Sequence, residues 1–391
     1  MICYLKAMLL PLLKWPGGKT RELPLLDHLL NRDWQRYVEP FVGGGACFFS
    51  LAPKSAIVND VNENLIGLYQ AVKRNDTELK KLLTELASLW DVSLTELAQE
   101  TNACFVERYI KERSKVGEKS VRNSIWQEQA PVFLHFVETK CPLWLSANLM
   151  KRFQNSYLDK MRRVRQLEVK HTLRFGEKKL AEHFETAMRA GFYTSLRDDV
   201  SGSSKREIAR FFFIREYCYG SMFRFNRAGK FNIPYGGINY NRKSFTRKVG
   251  MLFARERQRL LQRTEVTNED FTTFFSKRSA SWGPDTLVFL DPPYDSDFSD
   301  YDKYPFNKEC QHKLASIVGQ LKASYVLVIK DTPLIRSLYE EEIAKQSARN
   351  FARPMVIENY AKRYTYNVRG RNCRDVTHLL IHNMAEVVES S

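Results

Sequence analysis

Two short apolar runs, Thr286 to Leu290 and Tyr325 to Ile329, constrain this chain more than any other feature in it. Each is almost uniformly apolar, as a strand reads when both faces of a parallel sheet are covered; a strand wet on one face would alternate instead. Between them Leu314, Ile317, Val318 and Leu321 recur at helical spacing, which supplies the crossover that a parallel pair requires. The same grammar appears near the start. A short strand at Tyr37 and Val38 enters a glycine turn, a helix follows from about Ala46, and a second strand covers Ser55 to Asn59. Beyond it, Leu65, Leu68, Tyr69 and Val72 stripe an amphipathic stretch running to Leu89. The two ends of the chain therefore read as pieces of one α/β sheet.

Between these ends the pattern changes. Up to about Leu196 it is helical, punctuated by Pro131 and Pro142, and the polar segment Asp198 to Ser204 reads as a loop. The expected organisation is a first sheet segment at 1–84, an inserted unit at 85–250 and a second sheet segment at 251–391. Charge is concentrated in that insertion. The chain holds 61 Lys and Arg against 45 Asp and Glu, a net +16, and residues 201–260 alone hold 14 basic against 3 acidic residues, interleaved with Phe and Tyr. Such a strip is the electrostatic footprint of a phosphate-bearing partner, although a solvated basic surface looks the same by charge alone. A second basic run, Lys151 to Arg174, invites the same reading.

Other classes fall away. No stretch offers the roughly 18 unbroken apolar residues of a membrane span, and Ala7 to Leu13, broken by Pro11 and running into Lys14-Trp15, is a poor signal peptide. Seven cysteines, at 3, 47, 104, 141, 218, 310 and 373, show neither Cys-x-x-Cys pairs nor regular spacing. Neither a disulfide framework nor a zinc site is expected, and a reducing cytoplasm suits the chain best.

Three motifs carry the chemistry. Glu39-Pro40-Phe41-Val42-Gly43-Gly44-Gly45 lies where the first strand turns into a helix, so its glycines admit a ligand close to the backbone, or simply make a tight turn. Asp60 ends the second strand, where an acid can accept hydrogen bonds from ribose hydroxyls or cap the following helix. Asp291-Pro292-Pro293-Tyr294 closes the Thr286 to Leu290 strand, at the carboxyl end where α/β sheets bind ligands. Its two prolines stiffen the loop and remove two amide donors, leaving the Asp291 carboxylate and the Pro292 carbonyl as acceptors. Acceptors suit an aromatic amine, whose lone pair is delocalised until its protons are held, and Tyr294 offers a face for an extruded base; taken alone, the four residues read equally well as an ordinary turn.

Four blocks in this order make the chain resemble the Dam-type adenine-N6 DNA methyltransferases of bacteria and phages, in the alpha arrangement that places target recognition between the cofactor and catalytic motifs. They are Leu13-Lys14-Trp15-Pro16-Gly17-Gly18-Lys19, the Glu39 to Gly45 block, the strip from Tyr219 to Gly236, and Asp291 to Tyr294. The resemblance covers roughly residues 9–84 and 205–383. It implies a Rossmann-like, S-adenosylmethionine-dependent α/β methyltransferase sheet with an inserted, mostly helical target-recognition domain containing a β-hairpin. It also implies site roles. Trp15 and Lys19 would border the methionine end of S-adenosylmethionine, with Glu39, Phe41 and Gly43 in the cofactor turn. Asp60 would hold the ribose, Asp270 and Phe271 the cofactor adenine, Asp291 both the cofactor region and the target amine, and Pro292 and Tyr294 the target amine. Phe271 reads equally well as core. In the strip, Tyr219 would wedge into the duplex, Met222 touch a base and Arg224 read a guanine bidentately, with Asn226, Lys230 and Pro234 beside them. For Lys205, Arg206, Arg210, Arg227, Lys230, Arg242 and Lys243 the most economical role is phosphate contact, the alternative for any one being a solvated surface charge. Gly220 and Ile238 stand where close relatives carry asparagine and tyrosine, so a GATC target does not follow. Asp295 to Tyr304 would form a flap over the base pocket.

The expected activity is direct methyl transfer to adenine N6 in duplex DNA, without metal or covalent enzyme intermediate, by a monomer or weak dimer that stands alone or accompanies a restriction endonuclease. Two rivals remain: methylation of cytosine N4, RNA or a protein amide on the same scaffold, and a non-catalytic DNA-binding regulator.

Overall fold

A computed structural model describes residues 9–141, 148–199, 203–222, 224–226, 229–294, 306–363 and 375–384. The chain divides into two compact units, one comprising residues 1–74, 224–229 and 255–391 and the other residues 75–223 and 230–254. The cuts fall at Arg74/Asn75 and Ala254/Arg255, where the sequence suggested 84/85 and 250/251. The earlier first cut has a local cause. The amphipathic stretch Leu65 to Leu89 is two helices, because Asn75 takes a left-handed φ of 51° and Asp76 caps a new helix by accepting from the Leu79 amide at 2.9 Å.

The first unit begins with α1 (Leu23–Leu30), β1 (Arg36–Glu39), α2 (Ala46–Leu51), β2 (Ala56–Asn59) and α3 (Glu63–Arg74). The second supplies α4 (Thr77–Ser88), α5 (Leu94–Lys111), α6 (Lys119–Lys140), α7 (Leu149–Lys170), α8 (Glu177–Asp198), α9 (Ser204–Tyr217) and α10 (Phe245–Leu252). The chain then returns through α11 (Arg255–Gln262), β3 (Thr264–Thr267), α12 (Phe271–Arg278), β4 (Thr286–Leu290), α13 (Lys308–Gly319), β5 (Ser324–Lys330), α14 (Pro333–Ala348), β6 (Val356–Arg363) and β7 (Asp375–His382).

The seven strands form one sheet in the order β3-β2-β1-β4-β5-β7-β6. All pairings are parallel except those of β7, which runs against both β5 and β6. The uniformly apolar runs read from the sequence are β4 and the middle of β5, adjacent and in register from Leu287↔Ser324 to Leu290↔Leu327. Val288, Leu290, Leu327 and Ile329 are fully buried among Phe274, Leu314, Val318 and Leu379. Each such side chain contributes about 1.5 to 3 kcal/mol when removed from water. From β1 the chain moves outward to β2 and β3, then returns to the other side of β1 as β4. The loops after β1 and β4 therefore diverge at a topological switch point, the place where open α/β sheets take ligands.

The second unit is helical with two aromatic centres. Phe105, Trp126, Phe133, Tyr157 and Phe184 interlock between α5, α6, α7 and α8; Phe105 and Tyr157 stack at 4.3 Å. A π-helical turn at Leu89–Ser93 projects Trp90 into the other centre, against Tyr217 at 4.5 Å, Phe213 at 4.9 Å and Tyr235 at 5.7 Å. The expected β-hairpin is represented by an isolated antiparallel bridge, Cys218↔Tyr235. No helix among the described residues is long and apolar enough to cross a membrane.

Candidate active site

The turn after β1 is held from several sides. Gly43 has φ 48° and Gly45 φ 75°, backbone that a side chain would strain. A Cβ at Gly43 would stand 2.6 Å from the Trp15 ring, and one at Gly45 would strike the Tyr69 hydroxyl. Trp15 thus lies directly on the turn. The Gly43 amide donates to Asp60 at 3.0 Å, and the Tyr69 hydroxyl donates to the Gly43 carbonyl at 3.0 Å. Asp60 also accepts from the Asn62 amide at 3.0 Å, while Asn62 itself caps α3 by accepting from Leu65 at 3.0 Å. The capping role open to Asp60 in the sequence belongs to Asn62.

Glu39 lies beneath this turn rather than on it. It is 3% exposed and accepts from the Tyr37 hydroxyl at 2.8 Å. Burial pushes its carboxyl well above the ordinary carboxylate range, against the lowering effect of the Tyr37 bond. Phe41, by contrast, joins Phe271 and Phe306 in an aromatic trio with centroids 5.3 to 5.8 Å apart. Phe271 is 5% exposed, so the core reading of that residue describes where it sits. Asp270 caps α12, accepting from the Thr272 amide at 2.9 Å.

The loop after β4 begins at Asp291. Lys19, 2% exposed, drives its ammonium 2.5 Å from Asp291 Oδ1, 2.7 Å from the Tyr294 hydroxyl and 3.0 Å from the Gly17 carbonyl. The Tyr294 hydroxyl is also 3.3 Å from Asp291 Oδ1, and Gln311 donates to the Pro293 carbonyl at 2.9 Å. Burial raises the Asp291 carboxyl above its ordinary range and Lys19 opposes that rise. Lys19, placed by the sequence with Trp15, is thus a partner of the Asp-Pro-Pro-Tyr loop. Behind it, Glu22 is 2.7 Å from the Lys362 ammonium and accepts from the Tyr360 hydroxyl at 2.5 Å; His378 packs edge-on against the Tyr294 ring at 5.2 Å. Sequence reading missed Glu22, Phe306, Gln311, Tyr360, Lys362 and His378. None lies in a recognisable motif, and β6 and β7 reach the site only by pairing beside β5.

In the second unit, the two arms of the basic strip are tied together. The Tyr219 amide donates to the Pro234 carbonyl at 2.8 Å, Gly236 to Tyr217 at 2.9 Å, and Arg215 to the Met222 carbonyl at 2.8 Å. Tyr219 is 43% exposed, and Lys230 and Pro234 are exposed as well. Arg224 and Asn226, also exposed, group with the first unit. Of the expected phosphate contacts, Lys205 is ion-paired to Glu78 at 2.6 Å and Asp76 at 3.1 Å, and Arg210 donates to the Arg197 carbonyl at 3.2 Å. The acids of α4 and the end of α8 absorb charges that the strip alone left open. Lys151, Arg162, Arg163 and Lys170 line the outer face of α7, exposed. Arg227 and the flap expected at Asp295 to Tyr304 lie outside the described residues.

Residues 15–136 and 145–352 match the family of D12 class N6 adenine-specific DNA methyltransferases. The chain belongs to that family. It is 23% identical over 378 residues to the Type II methyltransferase M.CviBI of Paramecium bursaria Chlorella virus NC1A, covering 95% of this chain and 99% of that one. It is 26% identical over 330 residues to the Type II methyltransferase M.MjaIII of Methanocaldococcus jannaschii, 80% of each chain. The DNA adenine methylase of Salmonella typhi is 23% identical over 338 residues, 84% of this chain and 83% of its own. The protein is therefore an enzyme of DNA adenine methylation, and the readings as a cytosine or RNA methyltransferase or as an idle regulator are not favoured. Its mixed sheet, parallel but for β7, is that of a Rossmann-like methyltransferase.

Proposed function

We propose that this D12 methyltransferase moves the methyl group of S-adenosylmethionine to the N6 amine of an adenine extruded from duplex DNA, with Asp291 and the Pro292 carbonyl as the amine's acceptors. The observation that supports this most is the Asp291 carboxylate at the carboxyl end of β4, paired with buried Lys19 and next to the Tyr294 ring. The turn after β1 fits the cofactor: Gly43 leaves no room for a side chain beside Trp15, Asp60 stands at the end of β2, and partly buried Phe41, backed by core Phe271, offers an aromatic face. When bound, S-adenosylmethionine would supply an electrophilic sulfonium methyl and, as its S–CH3 bond breaks, leave as a neutral thioether.

The protein's own contribution is position and field. Two acceptors on a proline-stiffened loop hold both N6 protons and favour a pyramidal nitrogen with its lone pair free. The amine gains a methyl group and gives up one proton toward the Asp291 carboxylate. Burial raises the carboxyl's affinity for a proton, and the Lys19 ammonium 2.5 Å away opposes that rise. Tyr294 stacks on the base, offsetting part of the unstacking cost. Arg224 reads a guanine edge, Tyr219, Met222, Asn226, Lys230 and Pro234 shape the duplex contact, and the outer cations of α7 lengthen the phosphate contact. Asp291→Ala tests the reading. Transfer of labelled methyl to DNA is expected to vanish while DNA binding persists, and undiminished turnover would refute it.

A further inference from the structure

Buried charges behind the Asp-Pro-Pro-Tyr loop form a set that the catalytic assignment leaves unused. Glu22 follows directly on the turn that carries Lys19, and its side chain is 10% exposed. Lys362 of β6 meets Glu22 at 2.7 Å with 13% of its side chain exposed. Tyr360, two residues earlier on the same strand, donates to Glu22 at 2.5 Å, and its oxygen lies 3.4 Å from Nδ1 of fully buried His378 on β7. Two cations, Lys19 and Lys362, thus face two carboxylates, Asp291 and Glu22. A buried charge left without its counterpart is costly, which ties the placement of each to the others.

We propose that Glu22 and Lys362 are positioning residues for methyl transfer: their ion pair joins the β6–β7 hairpin to the turn bearing Lys19 and, through Lys19 and Tyr294, fixes where Asp291 presents its carboxylate. The inference rests on the reading of Asp291 as the amine's acceptor. It also makes the pair electrostatic neighbours of Asp291, with opposite signs. Glu22 raises the Asp291 carboxyl's affinity for a proton, and Lys362 lowers it. The other groups acting on this set are Lys19 on the N-terminal turn, Glu39 on β1, Cys47 on α2, Tyr294 on the loop itself and His378 on β7. His378 is held neutral, its affinity for a proton lowered to about 3 by burial and then by Lys362, Lys19 and Lys330, so it adds no charge near neutral pH.

The experiment is a single-turnover methylation rate with labelled S-adenosylmethionine and duplex DNA, both saturating, from about pH 5 to 9. Rate falls in acid as the acceptor carboxylate protonates. Glu22→Gln is expected to move that acid limb to lower pH, and Lys362→Met to move it to higher pH. Limbs that superimpose on the wild type, or move in the same direction, overturn the proposal. Should a single variant fail to fold by circular dichroism, the double variant Glu22→Gln/Lys362→Met, which strands no charge, is read instead. A rate about tenfold below wild type supports positioning, a loss of about 1.4 kcal/mol of transition-state stabilisation, and the wild-type rate overturns it. Asp291→Asn is measured alongside. If that variant remains active, the Asp291 reading has failed; if it is inactive while the pair's variants match the wild type, only the positioning inference has.

Discussion

Lys19→Met removes one ammonium and keeps most of its apolar stem. In the folded protein that ammonium has three partners, at 2.5 Å from Asp291, 2.7 Å from Tyr294 and 3.0 Å from the Gly17 carbonyl. At 2.5 Å and an effective dielectric of about 20, the gross Coulomb attraction is about 6 to 7 kcal/mol. Desolvation of both ions takes back much of it. Breaking a buried pair by deleting one partner commonly costs about 3 to 5 kcal/mol. Asp291 keeps 21% of its side chain in contact with solvent, against 2% for Lys19, so the stranded carboxylate recovers some hydration. The substitution is therefore expected to cost about 2 to 3 kcal/mol of stability. Asp291→Asn made in the Lys19→Met background should cost much less than it does alone, for a coupling energy of about 2 kcal/mol. Urea denaturation of the four proteins of this cycle measures it. Loss of the neighbouring cation also lets burial raise the Asp291 carboxyl further, so the acid limb of the methylation rate should move to higher pH. Effects that add to within about 0.5 kcal/mol would refute the ion-pair argument, and so would an unmoved acid limb.

Gly43→Ala meets both a left-handed φ of 48° and the Trp15 ring, 2.6 Å from the new Cβ. It should weaken S-adenosylmethionine binding about tenfold, equivalent to about 1.4 kcal/mol, as read by calorimetry. Glu39→Gln bears on stability against pH. The Glu39 carboxyl binds its proton more tightly folded than unfolded, mainly through burial. Its stabilising effect is full below the ordinary carboxylate range and is lost as pH rises through the raised folded value. Thermal scans should find the glutamine variant more stable than wild type on the alkaline side, and a variant that tracks the wild type at every pH contradicts the assignment. Arg224→Ala should relax discrimination at one base pair by about 1 to 3 kcal/mol, measured by methylation across a library of sites. A uniform loss over all sites would make Arg224 a phosphate contact.

Period and punctuation placed most of the catalytic unit before any coordinates. The apolar runs at Thr286 and Tyr325 are adjacent strands, and the Glu39 to Gly45 and Asp291 to Tyr294 blocks follow β1 and β4. These are local signals, because strand burial, turn backbone and loop stiffness are written in consecutive residues. The sequence also carried the family, through four blocks whose order is itself information. It could not show that Lys19 reaches Asp291, 272 residues away, or that Asn62 rather than Asp60 caps α3. Nor could it show that acids of α4 neutralise Lys205, since charge counts contain no partners.

What the sequence by itself determined, then, is the set of groups available: a carboxylate on a proline-stiffened loop, a glycine turn after a strand and a basic aromatic strip. Only the tertiary structure decided the electrostatic state of those groups. A carboxylate's proton affinity depends on which charges lie within a few ångströms and how much water is excluded. The buried charges around Asp291 come from the N-terminal turn and from β6, segments that the sheet order alone brings together.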